Sequence, residues 1–118
     1  QALNNEKISI YGTGSQSRSF CYVDDLIDGL VKFINCSSIG PINFGNPYEE
    51  ISIKDLAKMI RLKTNLSLPF SYSPLPFDDP LMRKPNIKKA NSILNWEPKI
   101  DLDKGLNKTI TYFKKING

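Results

Sequence analysis

Five of the chain's eight prolines, at positions 69, 74, 76, 80 and 85, fall within residues 66–85. Proline has no backbone N–H and a fixed φ, so neither a helix nor a central strand runs through such a stretch. The spacing leaves room for a strand at residues 70–73 and predicts a mostly irregular loop over residues 75–85. Long loops of this kind in compact domains are commonly functional, because the fold must satisfy an irregular backbone without a ladder.

The segments on either side read as short strands set between helices. Residues 7–11 alternate as Lys-Ile-Ser-Ile-Tyr and run into Gly12-Thr13-Gly14-Ser15, which predicts a strand over 8–11 and then a turn. Residues 19–23 form a second extended stretch. Asp24-Asp25 then open a helix over 24–35, with Leu26, Ile27, Leu30, Val31, Phe33 and Ile34 as its apolar face. Gly40-Pro41 breaks the chain, residues 42–44 read as a buried strand, and Gly45-Asn46-Pro47 closes it. Ser52, with Asp55 three residues on, makes a capping-box-like start to a helix over 52–61 that carries Ile53, Leu56, Ala57 and Ile60 inward. A helix over 87–94 and a last one capped by Asp101, with Leu102, Leu106, Ile110 and Phe113 at helical spacing, complete the reading. Few strands separated by helices define an α/β or α+β fold, and no complete parallel sheet can be built from this chain alone.

Composition narrows the function classes. At 118 residues, 40% apolar and 24% charged, the chain can bury a core and reads as one domain, residues 1–118. No apolar run approaches the roughly 20 residues of a membrane-spanning helix, and residues 1–20 lack a signal-peptide pattern, so a soluble, cytoplasmic protein is expected. The net charge of +4 is scattered and not interleaved with aromatic residues, which argues against a nucleic-acid partner and leaves an anionic small molecule open. Two cysteines without CxxC spacing, and no histidine, exclude a four-ligand zinc site and a histidine triad within the chain. No metal is expected, and Cys21 and Cys36 read as buried apolar fillers.

Three groups of residues invite a chemical reading. Gly12-Thr13-Gly14-Ser15-Gln16-Ser17-Arg18 resembles a phosphate cradle in composition but has the spacing of neither nucleotide fingerprint, and a surface hairpin is the favoured alternative. Arg18 and Arg83 each adjoin an irregular segment; each suits bidentate contact with an anion, with an exposed salt bridge as the favoured alternative. Asp78-Asp79-Pro80 reads as a turn in which Asp bonds its own backbone, in preference to a paired-carboxylate site. Trp96, before Glu97-Pro98, reads as a buried anchor at a helix end.

Taken in order, Ile8 through Gln16, Arg18 through Leu26 with its Phe20 and Tyr22-Val23-Asp24-Asp25, Gly40-Pro41-Ile42-Asn43-Phe44-Gly45-Asn46-Pro47, Asp78-Asp79-Pro80, Arg83-Lys84-Pro85-Asn86-Ile87 and Asn95-Trp96-Glu97-Pro98 resemble the C-terminal part of UDP-glucuronate decarboxylases. These are also called UDP-xylose synthases and belong to the extended short-chain dehydrogenase/reductase family of nucleotide-sugar epimerases and dehydratases. The resemblance implies a nucleotide-sugar-binding lobe of a larger, homodimeric enzyme, with residues 23–63 packing on a Rossmann domain outside this chain. NAD would be bound by that domain, since the chain carries neither its glycine fingerprint nor a Tyr-x-x-x-Lys pair. It also implies the reaction: NAD takes hydride from C4 of the glucuronate, the 4-ketone allows carbon dioxide to leave, and hydride returns to give UDP-xylose. Among site residues, it implies Arg18 on the UDP diphosphate, Tyr11 against the uracil, Asn43 at the ribose and Gln16 as a further substrate contact. Arg83 is implied near the sugar carboxylate and diphosphate, as a catalytic residue acting by electrostatic positioning or as a proton donor. Asn86 stands where the family usually has Asp, and Cys21 where it has a polar residue. The isolated chain is expected to be inactive. Two alternatives stand beside this reading: another nucleotide-sugar dehydratase or epimerase, such as a dTDP-glucose 4,6-dehydratase, or a non-catalytic sugar-nucleotide-binding module.

Overall fold

The computed structural model of the protein describes residues 1–38 and 40–117. They fall into two units that interleave along the chain, the first from Gln1–Arg18, Ile51–Arg83 and Leu106–Gly118, the second from Ser19–Glu50 and Lys84–Gly105. Residues 23–50 belong to the second unit and residues 51–63 to the first.

In the first unit a short 3₁₀ turn, Ala2–Asn4, precedes strand β1, Ser9–Tyr11. β1 pairs in parallel with β4, Ser71–Ser73, which is the strand expected between the prolines. Strand β2, Ser17–Ser19, lies between β3, Glu50–Ser52, and β5, Met82–Arg83, and runs parallel to β5. β1 and β2 thus belong to different sheets, so the segment joining them is not the hairpin expected from its glycines. Extended structure also comes two residues earlier than the 19–23 stretch predicts. The proline loop is irregular as expected, except where β5 uses the pairing groups of β2: Ser17 N–H donates to Leu81 O at 2.9 Å.

Helix α2, Ile53–Lys63, shows why residues 12–16 take the shape they do. Its first three N–H groups have no intrahelical partner. Ile53 N–H donates to Gln16 O at 2.9 Å, Lys54 N–H to Gly14 O at 2.9 Å, and Asp55 N–H to Ser52 Oγ at 3.1 Å. Gly14 has φ +78°, and a Cβ there would stand 2.9 Å from Lys54 Cβ and 3.2 Å from its backbone nitrogen. The glycine is required by the close approach of the loop to the helix it caps. The Ser52–Asp55 box forms as the sequence predicts, with the serine hydroxyl also donating to Asp55 Oδ2 at 2.8 Å.

The second unit is organised around Trp96, which is 1% exposed, with Ile87 and Ala90 buried beside it. Phe44 meets the indole edge-on at 5.0 Å between ring centres. Helix α1, Val23–Ile34, supplies the floor: the indole N–H donates to Asp25 O at 2.9 Å, and a Cβ on Gly29 would lie 2.6 Å from Phe44 Cδ1. The buried Asp25 carboxylate accepts Lys99 N–H at 3.1 Å and Ile100 N–H at 2.8 Å, fastening the segment after Trp96. Residues 42–44 are not a strand; Phe44 is used in packing against Trp96, without a ladder partner. Helix α3, Lys88–Leu94, has Ile87 at its N-cap without a side-chain cap bond, and Asn86 Oδ1, one residue further out, accepts Lys88 N–H at 3.1 Å. Helix α4, Leu102–Asn117, opens on Asp101, whose Oδ1 accepts Lys104 N–H at 2.8 Å. Both cysteines are half-buried instead of fully buried.

Candidate functional site

The parallel register of β2 and β5 sets Arg18 directly against Arg83. Partners in adjacent strands lie roughly 4.8 Å apart and their side chains leave the sheet on the same face. Two guanidinium-bearing residues separated by the whole proline loop are therefore brought to one place. Like charges so placed repel unless something offsets them. Asp79 does so for Arg18: its Oδ1 accepts from Arg18 Nη2 at 2.5 Å, with the two side chains 17% and 30% exposed. Arg18 Nη1 donates to Ser17 O at 2.7 Å. Arg83 is exposed and has no carboxylate partner among the described residues.

Asp79 is a residue that the sequence reading placed wrongly. The turn at residues 76–79 exists, but it is closed by the Asp79 backbone N–H donating to Pro76 O at 3.2 Å. The carboxylate is thereby released from local bonding and reaches Arg18, 61 positions earlier. An Asp-Pro turn signals local structure, and nothing in the sequence points to so distant a partner.

The other predicted residues divide between the units. Tyr11 ends β1 and is exposed. Gln16 is buried, and its amide donates to Tyr11 O at 2.8 Å, so it holds the end of β1 in place. Asn43 belongs to the second unit and is exposed there. A cleft of about 630 Å³ in that unit, lined by Tyr48, Lys84, Asn86 and Lys88 among others, contains none of the five predicted residues. Partial burial, then the charge of Asp25, pushes the Cys21 thiol up from its ordinary 9.0, so it stays protonated at neutral pH. No group of His, Cys, Asp or Glu that could hold a metal occurs among the described residues, and no helix there is long and apolar enough to cross a membrane.

Residues 1–45 match the NAD dependent epimerase/dehydratase family. UDP-glucuronic acid decarboxylase 1 of Xenopus tropicalis is 45% identical over 98% of this chain, and the Arabidopsis thaliana protein of that name is 40% identical over 97%. In structure, UDP-glucose 4-epimerase of Thermotoga maritima, solved with UDP-glucose, superposes with a TM-score of 0.92 over 99% of this chain at 27% identity, the chain covering 38% of it. UDP-glucuronic acid 4-epimerase of Bacillus cereus, in complex with UDP-glucuronic acid and NAD, gives 0.89 over 98% at 30% identity, again with 38% of that chain covered. In sequence and fold this chain is similar to members of the NAD dependent epimerase/dehydratase family. It spans 27% of the Xenopus relative and 26% of the Arabidopsis one.

The glycine-bearing loop before α2 does not fit NAD. A dinucleotide site offers free N–H groups of a glycine loop and a helix N-terminus to the pyrophosphate. Here the corresponding feature is closed, because the carbonyls of Gly14 and Gln16 already occupy the N-terminus of α2.

Proposed function

We propose that this chain is the nucleotide-sugar-binding part of an NAD-dependent UDP-glucuronate decarboxylase and works within a longer protein that holds the cofactor elsewhere. The observation that carries this reading is the pairing of Arg18 with Arg83. UDP-glucuronate is anionic at its diphosphate and again at its sugar carboxylate, and two arginines on one sheet face match two anionic groups on one ligand. Their likeness in sequence to the decarboxylases extends over nearly the whole chain. Arg18 grips the diphosphate, and Tyr11 lies against the uracil, held by Gln16 from behind. Arg83 holds the anionic end of the sugar and places positive potential where charge redistributes as carbon dioxide leaves. Always protonated, it acts by position and field more than by giving up a proton.

Within residues 23–63, α1 is the element that faces the rest of the enzyme. Its residues Val23, Ile27, Val31 and Ile34 are more than half exposed. Homodimeric assembly and a cytoplasmic setting belong to the same proposal and follow from the family resemblance.

The longer protein, given UDP-glucuronate and NAD, is expected to release carbon dioxide and form UDP-xylose, and this chain alone to do neither. An epimerised UDP-uronate without carbon dioxide would replace the decarboxylase reading with the epimerase one, which the solved neighbours also support. Arg18→Ala is expected to weaken substrate binding by about 1.5–3 kcal/mol, the range for hydrogen bonds to charged groups. Arg83→Ala is expected to lower kcat as well. A raised KM with unchanged kcat for Arg83→Ala would reduce its role to uniform binding.

A further inference from the structure

We infer that Asp79 is a positioning residue that presets the Arg18 guanidinium for an anionic diphosphate, an inference that rests on the role proposed for Arg18. Arginine has five N–H donors in one plane. One on Nη2 is taken by Asp79 and one on Nη1 by Ser17 O, so two anchors on different nitrogens fix that plane and three donors remain for a ligand. An unanchored arginine has to be ordered when its ligand arrives, and prior ordering removes that cost from binding. The anchor is itself fixed. Residues 76–79 form a closed turn, and Pro80 restricts the Asp79 backbone to extended conformations. Charge supports the same reading. Two arginines face one carboxylate at the β2–β5 ladder, so Asp79 relieves the repulsion between Arg18 and Arg83 and still leaves the pair positive. A partly exposed ion pair of this kind adds little to stability. Its effect belongs to ligand binding.

The test measures the Kd of UDP and of UMP by calorimetry on the longer protein, as wild type, Asp79→Ala, Asp79→Asn, Arg18→Ala and the Asp79→Ala/Arg18→Ala double variant. Asp79→Ala is expected to weaken UDP about tenfold and UMP less than about twofold, with Tm close to wild type. Asp79→Asn, which keeps an acceptor for Nη2, is expected to recover most of that loss. In the Arg18→Ala background the Asp79→Ala change is expected to add nothing. If Asp79→Ala does not fold, Asp79→Glu decides: it keeps the charge but displaces the anchor by one methylene, and an undiminished preference for UDP over UMP overturns the inference. A wild type that binds UDP and UMP alike removes the diphosphate role of Arg18 and the inference with it. A wild type that prefers UDP, together with an Asp79→Ala variant that prefers it equally, removes the inference alone. Additive losses in the double variant also overturn it.

Discussion

Helices α1 and α2 are similar in length and both are amphipathic, yet they are seated in opposite senses. α2 has the usual arrangement, with Ala57 buried, Leu56, Met59 and Ile60 half-buried, and Lys54, Asp55 and Lys58 in solvent. α1 turns a small residue and a carboxylate inward, Gly29 and Asp25, and leaves Leu26, Ile27, Leu30, Val31 and Ile34 exposed, the last at 77%. The inner faces explain the contrast. Beneath α1 stand the bulky rings of Phe44 and Trp96, which leave no room for a side chain at Gly29 and claim the Asp25 carbonyl. An amphipathic helix fixed through its polar side has its apolar side prepared for a cover, and an exposed apolar area of this kind marks an interaction surface.

The strongest way to break this comparison is to place a charge on the outer face of α1. Ile27→Asp in the longer protein is expected to cost about 3–5 kcal/mol, as for an unpaired buried charge, with a large fall in Tm and soluble yield. In the present chain by itself the same change should leave Tm nearly unmoved. Equal effects in both would make the face an ordinary solvent face. The inner faces give the next effect: Gly29→Ala forces a methyl against Phe44 and is expected to destabilise by about 1–3 kcal/mol in denaturant melts. An unchanged midpoint would show that Phe44 is free to move. On α2, Ser52→Ala removes the acceptor for Asp55 N–H and is expected to cost about 1 kcal/mol, read from the same melts.

The smallest effect concerns Asp55, whose carboxyl is held below its ordinary 3.8 first by the hydrogen bond from Lys58, then by that from Ser52. A depressed folded value means that the contribution is complete above the unfolded pKa and is lost as pH falls through the folded one. The stability gap between wild type and Asp55→Asn is therefore expected to be constant near neutral pH and to close below pH 3.8. A gap that widened with acid would contradict the assigned bonds.

The helices were legible in sequence because their signals are local. Asp24-Asp25 and the Ser52–Asp55 box sit at their starts, and apolar residues recur at the helical period. Periodicity identifies an apolar stripe but not what covers it, so the reversed seating of α1 could not be read. The glycine-bearing loop misleads for a related reason: its conformation answers to the N-terminus of α2, an element far along the chain. Residues 42–44 have the composition of a strand, yet composition does not supply a ladder neighbour. Of the candidate site, the arginines were visible as residue types suited to anions, and the resemblance named both. Asp79 was seen only as part of a turn, because its partner is 61 positions away.

That separation bears on how the site comes into being. Both parallel pairings of the first unit join distant segments, with Ser9 opposite Ser71 across 62 positions and Arg18 opposite Arg83 across 65. Closing such long loops is an entropic debt that local helix formation does not incur, and contacts of high sequence separation slow folding. During synthesis, Arg18 leaves the ribosome well ahead of Asp79 and Arg83 and has neither its anchor nor its neighbour until β5 has emerged. The Arg18–Arg83 pair with its Asp79 anchor is thus a late product of folding, assembled after α1 and α2 have had time to form.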